Sequence, residues 1–333
     1  MTAKNLQAKV KHHHVWANYL SRWASENNIW YTTIKGKVAF DSVRGLACEN
    51  YFYKATELTS DQITIIQRFS MVSDEWLHKQ HMKYLNDFLN LQYMQTSYAS
   101  MGVSDPELEK MMHAAQCNLL ENLHTRHEND AYEILESLIT GDLKILDDRK
   151  MLIRFCIYLG HQITRTKSFR EKVKSGSKIV NGDVPKLVSS CVEDCWWFLS
   201  YMFGMNVGYS LYLSWKDSNH CLIVNDTNEP FITSDEPIIN VHSCLDEKCD
   251  EFLAPEYADF YYPLSPSVAF MINDSNNFGF GKFVATERLV HELNLKMAKN
   301  SYKHIFSNTD TLIKKYRKYV GEDFLQKAKL VKE

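Results

Sequence analysis

The sequence lacks a hydrophobic run long enough to form a membrane helix. Its richest apolar stretch, Trp196 to Met205, is about half of the roughly 20 residues that a bilayer crossing needs. No apolar segment follows the first basic residues, as it would in a secretory signal peptide. The eight cysteines are scattered, without the dense spacing of a small disulfide scaffold. We therefore expect a cytoplasmic protein with reduced thiols that is neither secreted nor inserted into a membrane.

The chain also lacks an excess of positive charge, since 38 Lys and Arg face 41 Asp and Glu and the formal net charge is −3. Any contact with nucleic acid must therefore be local rather than driven by a global basic field. A P-loop, a Gly-x-Ser-x-Gly elbow and the kinase motifs are absent, which disfavours those enzyme classes. The 45% of hydrophobic residues is enough to bury a large core.

Two kinds of hydrophobic periodicity divide the chain. Helical spacing dominates from about 57 to 205, a period near two dominates from about 208 to 285, and helices return at 286–330. Lys35-Gly36-Lys37 interrupts an aromatic and β-branched stretch and predicts a hairpin. We expect one domain over 1–333 of the α+β class, mainly α. It should combine a helical core, a small N-terminal hairpin and an antiparallel C-terminal β-sheet.

Helix-capping motifs in the sequence predict where the helices begin. Thr59 and Gln62 have capping-box spacing and predict one long helix from near Asp61 to about Ser100. A second helix starts at Ser104-Asp105-Pro106-Glu107. After residue 131 its apolar stripe shifts by roughly 120°, which predicts a break or kink within 124–130.

Two further helices should begin near Asp147 and Val184, before the period changes. The C-terminal strands are predicted at Tyr209–Trp215, Cys221–Val224, Phe231–Thr233, Ile238–Val241 and Val268–Ile272. The loop Lys174 to Asp183 is the predicted connection between helices.

Polar side chains on the helix after Asp147 fall where a plain core helix would not need them. Gln162 and Thr166 lie inside its apolar stripe and Arg165 lies at the edge, so they require buried partners. Arg154 and His161 share a neighbouring stripe with six residues between them, in the style of an Arg–His ribonuclease pair that positions a phosphate and moves a proton. The alternative is an ordinary solvated charged face.

Three other segments could carry chemistry. His12-His13-His14 precedes aromatic residues at helical spacing, which suits metal or acid–base work or a solvated N-terminus. Residues 124–130 supply two imidazoles and two carboxylates, enough for a hard or borderline metal or for helix capping. Asp235 follows a short strand within 231–237, a common catalytic position that an Asx-turn explains equally well.

One further group of Cys and His residues lies within 242–249. His242, Cys244 and Cys249 could act as ligands, but no second Cys pair completes a tetrahedral set. We therefore disfavour a metal site in that segment.

Several of these positions resemble one bacterial family. Members of the domain-of-unknown-function family four-two-three-eight (DUF4238) open with His-His-x-x-Pro-x-x-Tyr-Leu-x-x-Phe and carry Phe-x-Thr-Ser-Asp-Asn-Pro late in the chain. The resemblance rests on His12-His13, Tyr19-Leu20, Trp23, Glu128, Gln162, Arg165-Thr166, Phe231–Pro237, Pro263–Pro266 and Asn294. It covers nearly the whole sequence.

Two departures from the family pattern bear on the site. Trp16 stands where the family has proline, and Glu236 stands where it usually has asparagine, so we expect a reshaped first turn and strand-end loop. The resemblance implies a shared fold and site rather than a reaction. Members look like accessory genes of bacteria and mobile elements, which implies a role in toxin or anti-phage systems.

The leading hypothesis is a cleft between the helical part and the sheet, in which polar residues from four segments converge. The predicted catalytic residues are His12, His13, Glu128, Gln162, Arg165 and Asp235. The predicted substrate-binding residues are Arg154, His161, Thr166 and Ser234. A divalent metal, Mg²⁺ or Mn²⁺, is predicted at His13, Glu128 and Asp235. This constellation predicts a hydrolase, specifically a nuclease acting on RNA or DNA, with a protein partner from the same toxin or defence system.

Two alternatives remain open at this point. In the first, the chain is a non-catalytic sensor or partner-binding subunit, and the same residues form a buried polar network that fixes the packing of helices on the sheet. In the second, it is a small-molecule or nucleotide hydrolase, for which a deep closed pocket would be the sign.

Overall fold

The structure is a computed structural model that describes residues 7–177, 183–245, 257–275 and 277–324. It has the predicted α+β class and is mainly helical. The α-helices of these ranges are α1 Ala17–Leu20, α2 Ser60–Met71, α3 Glu75–Ser100, α4 Pro106–Ile139, α5 Arg149–Thr164, α6 Lys167–Ser177, α7 Asp183–Asp194, α8 Trp196–Leu213, α9 Glu287–Asn300 and α10 Asp310–Tyr316. The strands are β1 Lys11–His13, β2 Asn28–Thr32, β3 Val38–Ser42, β4 Cys48–Asn50, β5 Asn219–Val224, β6 Thr233–Ser234, β7 Ile239–Asn240, β8 Asp259–Pro263, β9 Val268–Asn273, β10 Gly281–Val284 and β11 Ile305–Ser307.

The C-terminal sheet has five strands in the order β10-β5-β9-β8-β7. Its pairs are antiparallel, as predicted, except that β10 runs parallel to β5. The predicted N-terminal hairpin is also confirmed, since β2 and β3 pair in antiparallel register. The short strands β1 and β4 form a separate two-stranded sheet.

The hairpin belongs to a second sheet of four strands, in the order β3-β2-β11-β6. Phe306 of β11 is paired with Tyr31 on one side and with Thr233 on the other. The predicted strand Phe231–Thr233 therefore joins the N-terminal hairpin and not the C-terminal sheet. This pairing brings the residues after β6 close to those before β11.

Side-chain caps begin the long helices close to where they were predicted. Thr59 and its N3 glutamine form a complete capping box at α2. Asp105 and Asp148 each accept two backbone N–H groups at the starts of α4 and α5. The prediction of one helix from Asp61 to Ser100 is wrong, because Asp74 caps a new helix and divides the stretch into α2 and α3.

The predicted break within 124–130 is also wrong. α4 is one continuous helix of 34 residues. Its first half packs through Leu120 into a cluster with α3 and α8, whereas Ile134 and Leu138 pack into the central core against α5. The apolar stripe shifts because the helix passes from one core to another. His124 and Glu128 lie buried at that passage.

The predicted strand at Tyr209–Trp215 is wrong, because α8 extends through Leu213. This helix is apolar on nearly all sides, so periodicity does not distinguish it from buried strand. α8 packs closely against α5 at Gly160, Gly204 and Gly208. A Cβ added at Gly160 would lie 2.3 Å from the carbonyl oxygen of Gly204.

At the first departure from the family pattern, the backbone has a conformation that proline could also adopt. Trp16 precedes α1 with a φ of −61°, which is close to the value that proline imposes. α1 is anchored to the sheets by Tyr19, whose hydroxyl lies 2.7 Å from Thr233 Oγ1 and donates to the carbonyl of Pro263 at 2.7 Å. Trp23 donates its indole N–H to the carbonyl of Phe231.

Within the described ranges, none of the helices combines the length and the apolar character required to traverse a bilayer. Six of the cysteines in these ranges have free thiols, as expected of reduced cysteines: Cys48, Cys117, Cys156, Cys191, Cys195 and Cys221. Cys249 lies outside the described residues, and so do 178–182 of the predicted 174–183 loop, whereas 174–177 belong to α6. The Lys-rich tail beyond 324 is likewise outside them.

Replacing Gly160 with alanine should lower the free energy of unfolding by about 3 kcal/mol, because α5 must move away from the backbone of α8. Urea unfolding of the full chain measures this loss. Gly45→Ala is the matched control, since nothing lies within 4 Å of a Cβ added there. The control should change stability by less than about 1 kcal/mol. Equal stability of the two variants would contradict the close contact of α5 with α8.

Candidate active site

A buried ion pair joins three segments of the chain behind the candidate site. Arg165, the residue after α5, is only 2% exposed. Its Nη1 donates to Glu128 Oε1 at 2.7 Å and its Nη2 donates to Gln162 Oε1 at 2.9 Å. Gln162 in turn donates from Nε2 to the backbone carbonyl of His14 at 3.2 Å. α4, α5 and the N-terminal segment are therefore linked by one hydrogen-bonded chain.

The same ion pair supports the segment before α2. Tyr53 donates its hydroxyl to the carbonyl of Arg165, and its backbone N–H donates to His12 Nδ1 at 2.8 Å. His12 Nε2 lies 3.0 Å from the carbonyl of Lys9 and must donate to it. Burial lowers the pKa of His12. Both ring nitrogens of His12 thus hold backbone groups in place.

A cleft of about 830 Å³ lies next to this hydrogen-bonded network. It is bounded by the β2–β3 hairpin, the first turns of α6 and the segment that leads into β11. The cations that line it are Lys35, Lys37, Lys167, Arg170 and Lys303. The carboxylates that line it are Glu49, Glu171 and Asp235. Positive charge is therefore concentrated here although the whole chain is formally negative.

One histidine in the cleft has a defined tautomer. His304 Nδ1 is hydrogen-bonded to the backbone carbonyl of Thr32. A carbonyl oxygen can only accept, so Nδ1 carries the proton and Nε2 carries the lone pair. The rings of Tyr31 and Phe306 lie 6.0 and 6.2 Å from the imidazole. Nε2 makes no hydrogen bond to the described part of the chain, so it can interact with a molecule bound in the cleft.

A second histidine lines the cleft from the N-terminal segment. His14 is 3% exposed, and its Nδ1 is buried without a hydrogen-bond partner in the part of the chain that the structure describes. Burial lowers the pKa of His14 well below its usual value, and the charges of Lys167 and Arg165 add to this effect. The imidazole is therefore neutral at physiological pH.

Arg170 is a cation of the cleft without a carboxylate partner in the described ranges. Its guanidinium lies 5.3 Å from the ring centroid of Phe52. Its side chain makes no hydrogen bond or ion pair to any residue of the described ranges, and its Nε is buried. Lys167, by contrast, is paired with Glu49 at 2.5 Å. Arg170 is therefore available to bind an oxyanion.

Asp235 holds the backbone that carries His304. Its carboxylate accepts the N–H groups of Tyr302, Lys303 and His304 at 2.8 to 3.0 Å. Burial raises the pKa of Asp235, while the His304 ring and the three donors act in the opposite direction. Asp235 thus lines the cleft, but both of its carboxylate oxygens accept the hydrogen bonds that position this turn.

Of the six residues predicted to be catalytic, only Asp235 lines the cleft. Glu128, Gln162 and Arg165 lie behind it, and His12 is engaged with backbone. His13 Nδ1 lies 3.9 Å from Glu121 Oε1. Their catalytic roles stay a prediction.

The predicted metal ligands are engaged elsewhere in the described part of the chain. His13, Glu128 and Asp235 have separate partners and do not form a group with ligand atoms within 4.8 Å of one another. An Mg²⁺ or Mn²⁺ ion as such stays a prediction.

The predicted Arg–His pair is divided between two environments. Arg154 is partly exposed and lies 3.4 Å from Asp130 of α4. His161 is buried, with its ring 4.4 Å from that of His127. The side chains of this pair do not line the cleft.

The predicted substrate contacts Thr166 and Ser234 stabilise the site from behind. Thr166 Oγ1 accepts the N–H of Phe169 in the first turn of α6. Ser234 Oγ accepts the N–H of Glu236 at 3.0 Å, and Glu236 Oε1 accepts the N–H of Ser168 at 3.2 Å. Burial raises the pKa of Glu236 to about 7. The family's usual asparagine is thus replaced by a buried acid.

Sequence reasoning missed most of the residues that line the cleft. His14 belongs to the His12-His13-His14 triplet, but the sequence predicts catalytic roles only for His12 and His13. Lys167 and Arg170 directly follow the Arg165-Thr166 pair at helical spacing, which was a usable signal. His304 had none, because it stands alone before the short strand β11 and reaches the cleft only through the pairing of β11 with β2 and β6.

Arg165→Ala should lower the free energy of unfolding by roughly 3–5 kcal/mol, because it leaves the Glu128 carboxylate buried without a counterion. Urea unfolding measures the loss. The double variant Arg165→Met with Glu128→Leu removes both charges and should be more stable than Arg165→Ala. If the double variant were equally or less stable, the ion pair would not be the source of the loss.

Glu236→Gln should remove a pH dependence of stability. The folded-state pKa of Glu236 is raised, so its contribution is fully present below the unfolded value of 4.5 and is lost as pH rises through about 7. Wild-type stability should therefore fall by about 3 kcal/mol more than that of the variant over this window. Urea unfolding at pH 4.5 and 8 tests this, with Glu133→Gln at an exposed position of α4 as the matched control. Identical pH dependence of wild type and Glu236→Gln would refute it.

A family model described as a protein of unknown function (DUF4238) matches residues 11–311. No curated protein and no solved structure matches the chain. The matched range contains both the buried ion pair and the cleft, and it confirms the resemblance seen in the sequence. The chain belongs to the DUF4238 family.

Proposed function

We propose that the chain is a hydrolase of phosphodiesters, a nuclease that acts on RNA or DNA in the cleft. One observation carries the proposal: His304 Nε2 lines the same cleft as the Arg170 guanidinium, which has no hydrogen-bond or ion-pair partner in the described ranges. A general base beside an oxyanion-binding cation is the minimum that phosphodiester cleavage requires. The surplus of lining cations favours a polyanionic substrate.

In the proposed reaction, His304 Nε2 takes a proton from the nucleophile, which is a water molecule or the ribose 2′-hydroxyl group of RNA. The attacking oxygen forms a bond to phosphorus as the bond to the leaving oxygen breaks. Arg170 and Lys303 stabilise the negative charge on the non-bridging oxygens, and the leaving oxygen takes a proton from solvent. Tyr31 offers a ring on which a base can stack.

The proposed roles differ from those expected for the residues behind the cleft. Asp235 and the Glu128–Arg165 pair position the wall of the cleft and do not touch the substrate. The cleavage assay described below also tests whether the reaction requires Mg²⁺ or Mn²⁺. The toxin or anti-phage setting, with a protein partner, rests on the family resemblance. The proposed cytoplasmic location rests on the scattered spacing of the cysteines.

The decisive experiment is a cleavage assay on total RNA, tRNA, and single- and double-stranded DNA, with Mg²⁺, Mn²⁺ or EDTA. We expect His304→Gln to reduce the rate by roughly 10²- to 10⁴-fold, because the general base is lost. Arg170→Gln should reduce it by roughly 10²-fold. His291→Gln and Arg288→Gln make the same chemical changes at exposed positions outside the cleft and should retain wild-type rates.

Two results would overturn the proposal. The first is the absence of cleavage by the folded wild-type chain on every substrate and with every ion. The second is a wild-type rate in His304→Gln. Either would shift the weight to the alternative below.

The alternative is a non-catalytic sensor or partner-binding subunit. It is favoured by the buried network, in which Arg165 donates to Glu128 and Gln162, although its Nε has no partner in the described ranges. Under this alternative, a nucleotide or oligonucleotide binds in the cleft without being cleaved, and Arg170→Gln weakens that binding. Equilibrium binding with and without turnover separates the two functions.

A further inference from the structure

Three histidines from two helices meet in the core beside the buried ion pair. His124 and His127 lie one turn apart on α4, and His161 faces them from α5. The ring of His161 lies 4.4 Å from that of His127 and 5.6 Å from that of His124. One ring nitrogen of each residue lies within 4.8 Å of the other two. We call these three residues the histidine cluster.

The ring nitrogens of the cluster have little else to bind. His124 and His161 are each 2% exposed, and neither nitrogen of either ring has a hydrogen-bond partner in the described ranges. The Nδ1 of His127 is also buried and unpartnered. Buried polar atoms are almost always satisfied in folded proteins, so five orphaned nitrogens in one place call for a ligand.

The surrounding packing is shaped around these rings. A Cβ at Gly204 of α8 would lie 2.4 Å from His161 Nδ1, so a glycine is required for the imidazole to occupy its position. The ring of Tyr201 lies 6.2 Å from that of His161 and nearly parallel to it. α8 thus holds His161 against α4. His127 is only partly buried, which gives solvent a route to the cluster.

We propose that His124, His127 and His161 bind one divalent transition-metal ion of the Zn²⁺ type. Imidazole nitrogens select Zn²⁺, Cu²⁺ or Ni²⁺, whereas Mg²⁺ and Ca²⁺ prefer oxygen ligands. Zn–N bonds of about 2.0–2.1 Å place tetrahedral nitrogens about 3.4 Å apart, so the rings need to close by little more than about 1 Å. Three protein ligands leave a fourth position for water or another small ligand.

The charge of the surroundings permits such an ion. Arg165 is the cation of the adjacent network, and the carboxylate of Glu128 balances it at 2.7 Å. The proposed site is separate from the cleft and differs from the Mg²⁺ or Mn²⁺ site that the sequence predicts. It does not depend on the proposed nuclease activity, because it is tested by binding alone.

The test uses the full chain stripped with EDTA and then titrated with Zn²⁺, with bound metal measured by elemental analysis after dialysis. We expect about one ion per chain and a higher Tm, since an ion that binds only the folded state stabilises it. Co²⁺ should give the visible absorption of a tetrahedral site. Mg²⁺ should leave the Tm unchanged. Failure of the wild-type chain to retain Zn²⁺ would overturn the proposal.

Two variants locate the ion. His161→Gln and His127→Gln should each weaken Zn²⁺ binding at least tenfold and abolish the Co²⁺ spectrum. His127 is partly exposed, so its variant should remain folded by circular dichroism even if His161→Gln does not. His113→Gln, at an exposed position on the same helix, is the matched control and should bind as wild type. Wild-type binding by His127→Gln and His161→Gln would refute the site, as would an equal loss in His113→Gln.

Discussion

The buried guanidinium of Arg165 is the constraint on which the rest of the site depends. A charge in the core is tolerated only when its partners are fixed, and here Glu128 of α4 and Gln162 of α5 supply them. The backbone carbonyl of Arg165 accepts a hydrogen bond from the Tyr53 hydroxyl. Gln162 in turn donates to the backbone carbonyl of His14. Helix packing and the position of the cleft wall are therefore coupled through one side chain.

Histidines lie on both sides of this ion pair, and their surroundings assign them different chemistry. His14 and His304 line a cleft rich in cations, which repel a metal ion and attract an oxyanion. The histidine cluster lies among neutral rings and a balanced ion pair, where a metal meets imidazole nitrogens alone. We therefore propose proton transfer for the histidine of the cleft and metal binding for the histidine cluster.

The sequence predicted the buried polar residues better than their roles. The helical wheel identified Gln162, Arg165 and Thr166 as polar groups in need of partners, and each has them. Asp235 was recognised as a strand-end carboxylate and does line the cleft. The break predicted in α4 failed for a specific reason. A long helix that passes between two cores changes its buried face without interruption, and periodicity alone cannot distinguish this from a break.

By itself, the sequence determined the fold class, the helix starts at Thr59, Asp105 and Asp148, the N-terminal hairpin and the family. These depend on short-range caps and periodicity, which a local pattern records. Only the tertiary structure decided that His14, Arg170 and His304 share a cleft. His304 reaches Thr32 across 272 positions of sequence, because β11 inserts between β2 and β6. Such a long-range strand pairing leaves no local pattern, so the cleft emerges only when the chain has folded.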